Sequence, residues 1–557
     1  MSAKRSFKFN HFFILMMLVL IVFSTIPVSA EANSIQSYIV QGSDLATVVE
    51  LVEAHGGQIS MELEVINSVA ADLDPQMVKA LFAEKTITSI FPNENIEASS
   101  FTSENDIIDT GYPEATGANY VTDQGITGQG VTVAILDSGL ANYNSLENTT
   151  DKQNRILAWI DFVEGKNNLT DPNGHGTHIT GIIANSETGS DGSYNGVAPD
   201  ANLVIVRILD KDGYGTYSNA IQGIEWVIEH KEEYNIKLIN LSLTAEANSP
   251  YWADPLNQAV MKAWAAGITV ITCTGNTGPD PLTITVPGNN PYVITVGAFT
   301  DAYTPLDMED DYLASFSSSG PTLDAFAKPD LIAPGAHMVS PMSNGNQISK
   351  DQDATRVPGT HYYEMAGTSQ AAATVTGIAA LMYQQNPDLT PDEVKHRLMM
   401  TSTSMPFIEG HDVSVQEGQE LYSVFQQGAG RVNALDAVFA EGINGQANQD
   451  MDIWADINGD SHYQGYAVYD VKQDIYTIQD VRESNNSYAS ENDNPDIQSG
   501  GLGLWSGGLG LWSGGLGLWS GGLGLWSGGL GLWSGGLGLW SGGLGLWSGS
   551  VSNWVEE

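Results

Sequence analysis

Five short segments, VTVAIL, NLVIVRIL, IKLINLSL, GITVITCT and YVITVGAF, lie between residues 131 and 299 and constrain the fold more than any other feature. A strand with one wet face alternates apolar and polar side chains, whereas these are apolar nearly throughout and need cover on both faces. The stretches between them carry helical spacing, clearest in SNAIQGIEWVIEHKEE at 218–233. A parallel sheet with helices on both faces, a three-layer α/β arrangement, satisfies both observations. A further helix is signalled at TPDEVKHRLMM, where Thr390 can cap, Pro391 suits the first turn and Glu393 completes a capping box. Such sheets place their chemistry beyond the carboxyl ends of the strands, so those ends are the positions to inspect.

The flanking segments divide the 557-residue chain further. In residues 1–30, Lys4, Arg5 and Lys8 precede the apolar run Phe12–Phe23, and Val28-Ser29-Ala30 offers the small residues a signal peptidase reads. That pattern predicts a secretory leader and a secreted, extracellular or surface-associated product; a retained anchor is the alternative, for which the apolar run is short. Residues 31–110 read as a small α+β unit followed by a polar linker, with strands in SYIVQ, QISMELEVINSVAADL and ITSIFPNENIEAS and helical spacing in DLATVVELVEAHGG and DPQMVKALFAEK. The sheet-forming region is assigned to 118–440, and 441–498 to a small acidic C-terminal region. The only cysteine, Cys273, excludes an internal disulfide and reads as a small buried apolar residue.

From Ser499 the unit SGGLGLW occurs seven times, placing tryptophans at 505, 512, 519, 526, 533, 540 and 547. Its three glycines cost roughly 3 kcal/mol of helix propensity per unit, which argues against a coiled coil despite the seven-residue period. Gly-Gly between short apolar runs is a hairpin signal. The repeats of 499–557 are therefore expected to form an antiparallel β-meander of LGLWS strands, with Trp505 opposite Gly510. Such a β-rich tail would bind a surface, a polysaccharide or other copies of itself; a disordered repeat expansion is the alternative.

Four residues fall at the expected strand and helix ends. VAILDSGL puts Asp137 where the first strand gives way to loop, and DPNGHGTHITGIIAN starts a helix at His175 among glycines. GITVITCTGNTG carries Asn276 on a Gly-flanked loop, and AGTSQAAATVTG opens an apolar helix at Ser369. Each alone is weak: the acid could cap a turn or hold a metal, the histidine could be structural, Asn-Gly is ordinary turn chemistry, and a small serine suits close helix packing. Together they supply the parts for acyl transfer. A serine hydroxyl is a poor nucleophile until a base takes its proton; the imidazole of His175 suits that role, and Asp137 would hold the ring in the useful tautomer. The Asn276 amide and the Ser369 N–H, at the positive end of a helix dipole, could bind the oxyanion of a tetrahedral intermediate.

The motifs AILDSGL, GHGTHITGIIA, VAPDANLVIVRIL, GIEWVI, LINLSL, TGNTG, SFSSSGPT and AGTSQAAA, in this order across 120–440, resemble the subtilisin family of serine endopeptidases, and Asp before His before Ser is that family's order. The resemblance implies Asp137, His175 and Ser369 as a catalytic triad, Asn276 as oxyanion donor and His178 as a structural histidine. It implies that 36–99 is an inhibitor-type propeptide, removed by self-cleavage between 99 and 117. Protein or peptide substrates would bind as an added strand, against Gly213, Tyr214 and Gly215 on one side and Ser242, Leu243 and Thr244 on the other. No cofactor is implied for the chemistry. Structural calcium is a usual ligand of the family, with Glu187 and Asp191 in the loop 185–196 as hard-oxygen candidates and a solvated loop as the alternative. The stretch 456–470 opens like an EF-hand with Asp456, Asn458 and Asp460, but has Ser461 at the turn glycine and Ala467 at the closing acid.

The sequence departs from the family pattern in two places. Thr244 and Ala245 replace glycines beside the primary specificity pocket, which leaves side-chain preference open. Gln370, Ala371, Ala372, Ala373 and Thr374 replace Met-Ala-x-Pro-His after the serine, where altered packing is expected and not lost activity.

Sixty-six acids against twenty-one Lys and Arg give a formal charge of −45. Such a chain is repelled by nucleic acid and anionic lipid, and cations bind or screen it. A saline or calcium-rich setting and acidity kept for solubility both agree with this count. The rival functional reading is a binding or adhesive surface protein with a degenerate catalytic domain, against which the four intact positions argue. If screening relieves self-repulsion, the melting temperature rises between low and molar salt; a flat salt titration removes the saline reading.

Overall fold

The structure, a computed structural model, describes residues 35–98, 111–141, 146, 154–189, 192–351, 356–406, 422–471 and 475–478, and the backbone of nine short strands between 497 and 554. The leader, the segment 99–110 and Asp191 lie outside the described residues. The chain divides into two compact units, the first up to residue 62 together with 69–92 and the second comprising 63–68 and 93 onward.

In the first unit a four-stranded sheet runs in the order Gln58–Leu63, Ser68–Leu73, Gln36–Gly42, Ile87–Pro92, with the last two antiparallel. Its helices, Leu45–Ala54 and Pro75–Leu81, start at Asp44 and Asp74, whose carboxylates accept the otherwise unpaired N–H groups of Thr47 and of Gln76 and Met77. Val40, Val48, Val52, Val69, Ala71, Leu73 and Leu81 fill the space between helices and sheet.

The second unit is built on strands β1 (Thr132–Asp137), β2 (Ile156–Asp161), β3 (Asn202–Arg207), β4 (Ile236–Leu241), β5 (Thr269–Cys273), β6 (Ile294–Thr300), β7 (Tyr312–Leu313) and β8 (Leu331–Pro334). They follow the order β7-β6-β5-β4-β1-β3-β2, with β8 also on β6, and only β7 runs antiparallel to its neighbour. Five of these eight are the apolar runs read from the sequence. The others have a physical reason to be missed: β2 is an edge strand that leaves Leu157 exposed, β7 has two residues, and β8 is a four-residue strand ending in proline.

The helices that position the site are α1 (His175–Ala184), α2 (Tyr217–Glu229), α3 (Pro255–Ala265), α4 (Thr368–Gln385) and α5 (Pro391–Thr401). Helix α4 is buried continuously from Thr368 to Tyr383, against α1 and strands β4, β5 and β6. Its small residues make that fit: a Cβ at Gly377 would stand 2.5 Å from the Cβ of Val197. The alanines after Ser369 are fully buried packing residues. Thr390 and Glu393 form the expected capping box of α5. Cys273 is fully buried, with its Sγ 3.5 Å from the Leu243 carbonyl oxygen.

The tail is β-rich but is not the expected meander. Each LGLWS strand pairs in parallel with the strand two repeats away, Leu502 with Leu516 and Trp505 with Trp519, and alternate repeats fall in two separate sheets. Trp505 is therefore registered on another tryptophan and not on Gly510. A period of two repeats stacks identical residues along each ladder, which the hairpin reading of Gly-Gly cannot do.

One buried ionic cluster ties α5 to the sheet. Lys328 Nζ donates to Asp330 Oδ2 at 2.6 Å and to the Val293 carbonyl at 2.9 Å. Lys395 Nζ donates to the carbonyls of Pro291, Tyr292 and Val293 and lies 3.2 Å from Asp330 Oδ1. Burial pushes the Lys328 ammonium down to about 7; Asp330 opposes the shift and Lys395 adds to it. The unfolded chain keeps this proton up to its ordinary value of 10.5, so the cost of burying the charge is full below about pH 7 and relieved as pH rises from 7 to 10.5. Over that window the stability of the wild type relative to Lys328→Met should rise by up to about 1.4 kcal/mol per pH unit, read from urea unfolding at a series of pH values.

Candidate active site

Asp137 is the last residue of β1, in the middle of the sheet, and His175 the first of α1. The His175 Nδ1 lies 2.8 and 2.9 Å from the two carboxylate oxygens of Asp137, with both side chains buried. A carboxylate can only accept, so Nδ1 carries the proton and Nε2 presents a lone pair. That Nε2 is buried with no hydrogen-bond partner. Its neighbourhood is built to allow the approach. A Cβ at Gly176 would stand 2.3 Å from the Gly139 carbonyl oxygen and 3.1 Å from Asp137 Oδ1, which only glycine avoids. Asp171 gathers the turn: its carboxylate accepts from the N–H groups of Asn173, Gly174 and Thr177 and from the hydroxyls of Ser138 and Thr177. Sequence reading passed over Asp171, although Asp-Pro-Asn-Gly before a helix is itself a turn signal.

One turn further along α1, His178 donates from Nε2 to the carbonyls of Met338 and Tyr363, both at 3.1 Å. Burial pushes it down to about 3, the Tyr363 and Met338 carbonyls opposing and His175 adding, so it stays neutral and ties α1 to the hairpin of Met338–Pro341 and Tyr362–Met365.

Ser369 is the second residue of α4 and fully buried. Its hydroxyl donates to the Ser242 carbonyl at 3.2 Å and not to His175, while the Ser242 hydroxyl donates to the Ser369 carbonyl at 3.1 Å. Asn240 supports this exchange by donating to Ser242 Oγ at 2.9 Å and accepting from Thr376 Oγ1 of α4 at 2.8 Å. Asn276 accepts with Oδ1 from both the N–H and the hydroxyl of Thr368, at 3.0 and 2.9 Å. These two bonds assign Oδ1 to Thr368 and leave Nδ2 as the donor of the amide. Gln370, next to Ser369, is buried with neither polar atom of its side chain bonded to protein.

The edge beside Ser369 already carries a strand. Asn95–Ala98 lies antiparallel between Tyr214–Thr216 and Leu243–Thr244. Ile96 is registered on Gly215, Glu97 on both Tyr214 and Thr244, and Ala98 on Leu243, and the Ala98 N–H donates to the Gly213 carbonyl at 3.0 Å. Gly215 allows the close approach, since a Cβ there would meet the Ile208 carbonyl oxygen at 2.4 Å and Ile96 Cγ1 at 3.1 Å. Asp210 shapes the adjoining turn by accepting from the N–H groups of Asp212 and Tyr214.

Glu187 accepts the Tyr362 hydroxyl, which also takes Asn185 Nδ2 at 2.8 Å and Asn195 Nδ2 at 3.0 Å, and His361 Nε2 stands 3.8 Å away. Calcium wants six to eight oxygens, several from carboxylates. Among the described residues of 185–196, Glu187 is the single carboxylate, and Asp191 lies outside them. Carboxylates gather elsewhere, at Glu64, Glu225 and Glu229.

Residues 128–430 match the model of the subtilase family. The chain is 40% identical to serine protease AprX of Bacillus subtilis over 381 residues, covering 67% of this chain and 79% of that protein. It is 31% identical to subtilisin E of the same organism over 366 residues, covering 64% and 80% of the two chains. Among solved structures, fervidolysin of Fervidobacterium pennivorans, a keratinolytic enzyme related to subtilisin, superposes with a TM-score of 0.56 at 22% identity, over 73% of this chain and 61% of that one, a likeness of fold. The chain belongs to the subtilase family and is a subtilisin-like serine endopeptidase.

Proposed function

We propose that the chain is a secreted endopeptidase that processes itself from a zymogen and cuts peptide bonds through an acyl-enzyme, with Asp137, His175 and Ser369 as triad. Asn276 and the Ser369 N–H form its oxyanion site. The observation that carries this reading is the chain's own strand Asn95–Ala98, lodged between Tyr214–Thr216 and Leu243–Thr244 and leading toward Ser242, whose carbonyl holds the Ser369 hydroxyl. A peptide so placed presents its following carbonyl to the serine. Residues 36–98 are then the inhibitory propeptide, and outside substrates take the same strand position, where backbone pairing gives affinity with little demand on sequence.

In the reaction, the Ser369 hydroxyl exchanges the Ser242 carbonyl for His175 Nε2 and loses its proton to it as the new C–O bond forms. Asp137 holds Nδ1–H and stabilises the imidazolium. Asn276 Nδ2 and the Ser369 N–H receive the oxyanion, and the imidazolium returns its proton to the amine as the C–N bond breaks. Water, deprotonated by the same imidazole, then releases the acyl group. Secretion rests on the leader pattern of residues 1–30, and no described helix is long and apolar enough to cross a membrane. The parallel ladders of the repeats support an attachment role for the tail, toward a surface, a polysaccharide or further copies.

A fluorophosphonate should label Ser369 in folded, processed protein, and absence of that adduct sinks the reading. Asp137→Asn should lower kcat by about 10⁴ through the wrong tautomer. Asn276→Ala should lower it by roughly 10² to 10³ with KM little changed, a magnitude known from a subtilisin's own oxyanion asparagine.

Propeptide retention should also depend on pH. The turn Glu64–Ile66 packs on α2 and α3, with the Val65 N–H donating to Glu225 Oε1 at 3.1 Å. Burial pushes Glu225 up to about 7, the Val65 N–H opposing and Glu229 and Glu64 adding. A carboxyl raised in the docked state favours docking when protonated, so docking weakens as pH climbs from the ordinary 4.5 toward about 7 and levels off above. Release of the cut propeptide should be faster at pH 7.5 than at pH 5 by mass spectrometry, and Glu225→Gln should flatten the difference.

A further inference from the structure

The strand Leu243–Thr244, which follows Ser242 beside the nucleophile, is held by two pairings. Asn95–Ala98 pairs with Leu243 and Thr244, and beyond them Ala245 exchanges two backbone hydrogen bonds with Val286, at 3.0 and 2.9 Å. Two loops leave this junction, 246–254 toward α3 and 287–293 toward β6. Both end on one carboxylate from outside the family-matched region: Asp456 Oδ2 accepts the hydroxyls of Tyr251 at 2.6 Å and Tyr292 at 3.0 Å. Its other oxygen faces His462 Nδ1 at 2.7 Å, and the His462 ring stacks on Trp252 with centroids 4.1 Å apart and planes 9° from parallel.

The surrounding bonds continue the same attachment. The Tyr463 N–H donates to the Tyr251 hydroxyl at 3.1 Å, the Tyr251 N–H to Asp324 Oδ2 at 2.9 Å, and the Gly465 N–H to the Asp324 carbonyl at 2.8 Å. Asn448 Nδ2 donates to the Tyr292 carbonyl at 3.1 Å. Asp456, Tyr251 and Tyr292 are each buried. A carboxylate taken out of water is costly unless donors replace its hydration, and here two phenols and an imidazole do so. The position that opens the EF-hand-like stretch thus spends its acceptor capacity on protein groups.

The geometry points to the segment Asn448–Tyr463 as a brace for the substrate cleft, with Asp456 a positioning residue that sets the two loops framing Ser242–Ala245. This rests on the endopeptidase reading of Ser369. The brace acts at Thr244 and Ala245, the positions that depart from the glycines of the family pattern, where Thr244 pairs with Glu97 and Ala245 with Val286.

The test compares wild type with Asp456→Ala, as full processed chains, on a long peptide that spans the strand position of Asn95–Ala98 and on a small acyl ester that reaches only the reacting groups. Breaking hydrogen bonds to a buried charge should raise KM for the peptide about tenfold, with kcat changed less than about twofold and ester kinetics unmoved. Tyr292→Phe, which removes one hydroxyl and leaves the carboxylate its other partners, should give the same split at about threefold, and serves if Asp456→Ala does not fold. Parallel loss on both substrates, or no change on either, overturns the brace. Fluorophosphonate titration keeps the two readings apart: a wild type that takes no label overturns the endopeptidase and the brace together, whereas full labelling with unsplit kinetics overturns the brace alone.

Discussion

A carboxylate at the end of a central strand and an imidazole at the start of a buried helix must meet at 2.8 Å, and much of the catalytic unit follows from that contact. Burying the pair removes Asp137 from water, so the Ser138 N–H supplies a hydrogen bond at 2.7 Å and the ring supplies the other. The helix can come close enough only because Gly176 has no side chain, and its start is held by Asp171 from the preceding turn. His178, neutral and bonded to two carbonyls, anchors the next turn of α1 to the hairpin that leads into α4. The contact leaves one nitrogen of His175 unsatisfied in the interior. An unpaired buried acceptor is costly, and such costs persist where chemistry uses them.

Ser369 shows a second constraint, the lock between α4 and the strand end at Ser242. Each of these two serines gives its hydroxyl to the other's carbonyl, so the resting partner of the Ser369 hydroxyl is the same backbone that borders the occupied strand position. Asn240 and Thr376 brace this exchange from beneath, which fixes the backbone of Ser369 while its side chain keeps a choice of acceptors.

What the sequence made legible was what repeats locally. Two-sided burial showed in the composition of β1, β3, β4, β5 and β6, and the capping box at Thr390 showed in three residues. The four candidate residues could be singled out because strand and helix ends are located by the same signals. Partners far along the chain were not legible. Asp456 meets Tyr251 across 205 residues and Tyr292 across 164, and its own surroundings suggested a metal loop. The Tyr362 hydroxyl that Glu187 accepts comes from 175 residues away and was likewise not legible. The tail misled for another reason: Gly-Gly between short apolar runs signals a hairpin, whereas the register of Leu502 on Leu516 pairs each strand with the one two repeats away.

The strand Asn95–Ala98 shares its chain with the cleft it fills, and that tether has a consequence for concentration. A joined ligand competes at an effective concentration, on the order of millimolar for short connections, however dilute the protein is. Dilution therefore does nothing to empty that strand position while the chain is whole. Were the connection severed as proposed, the same strand would compete as a separate molecule whose occupancy falls with dilution, so dilution alone would then carry the strand position from occupied to open.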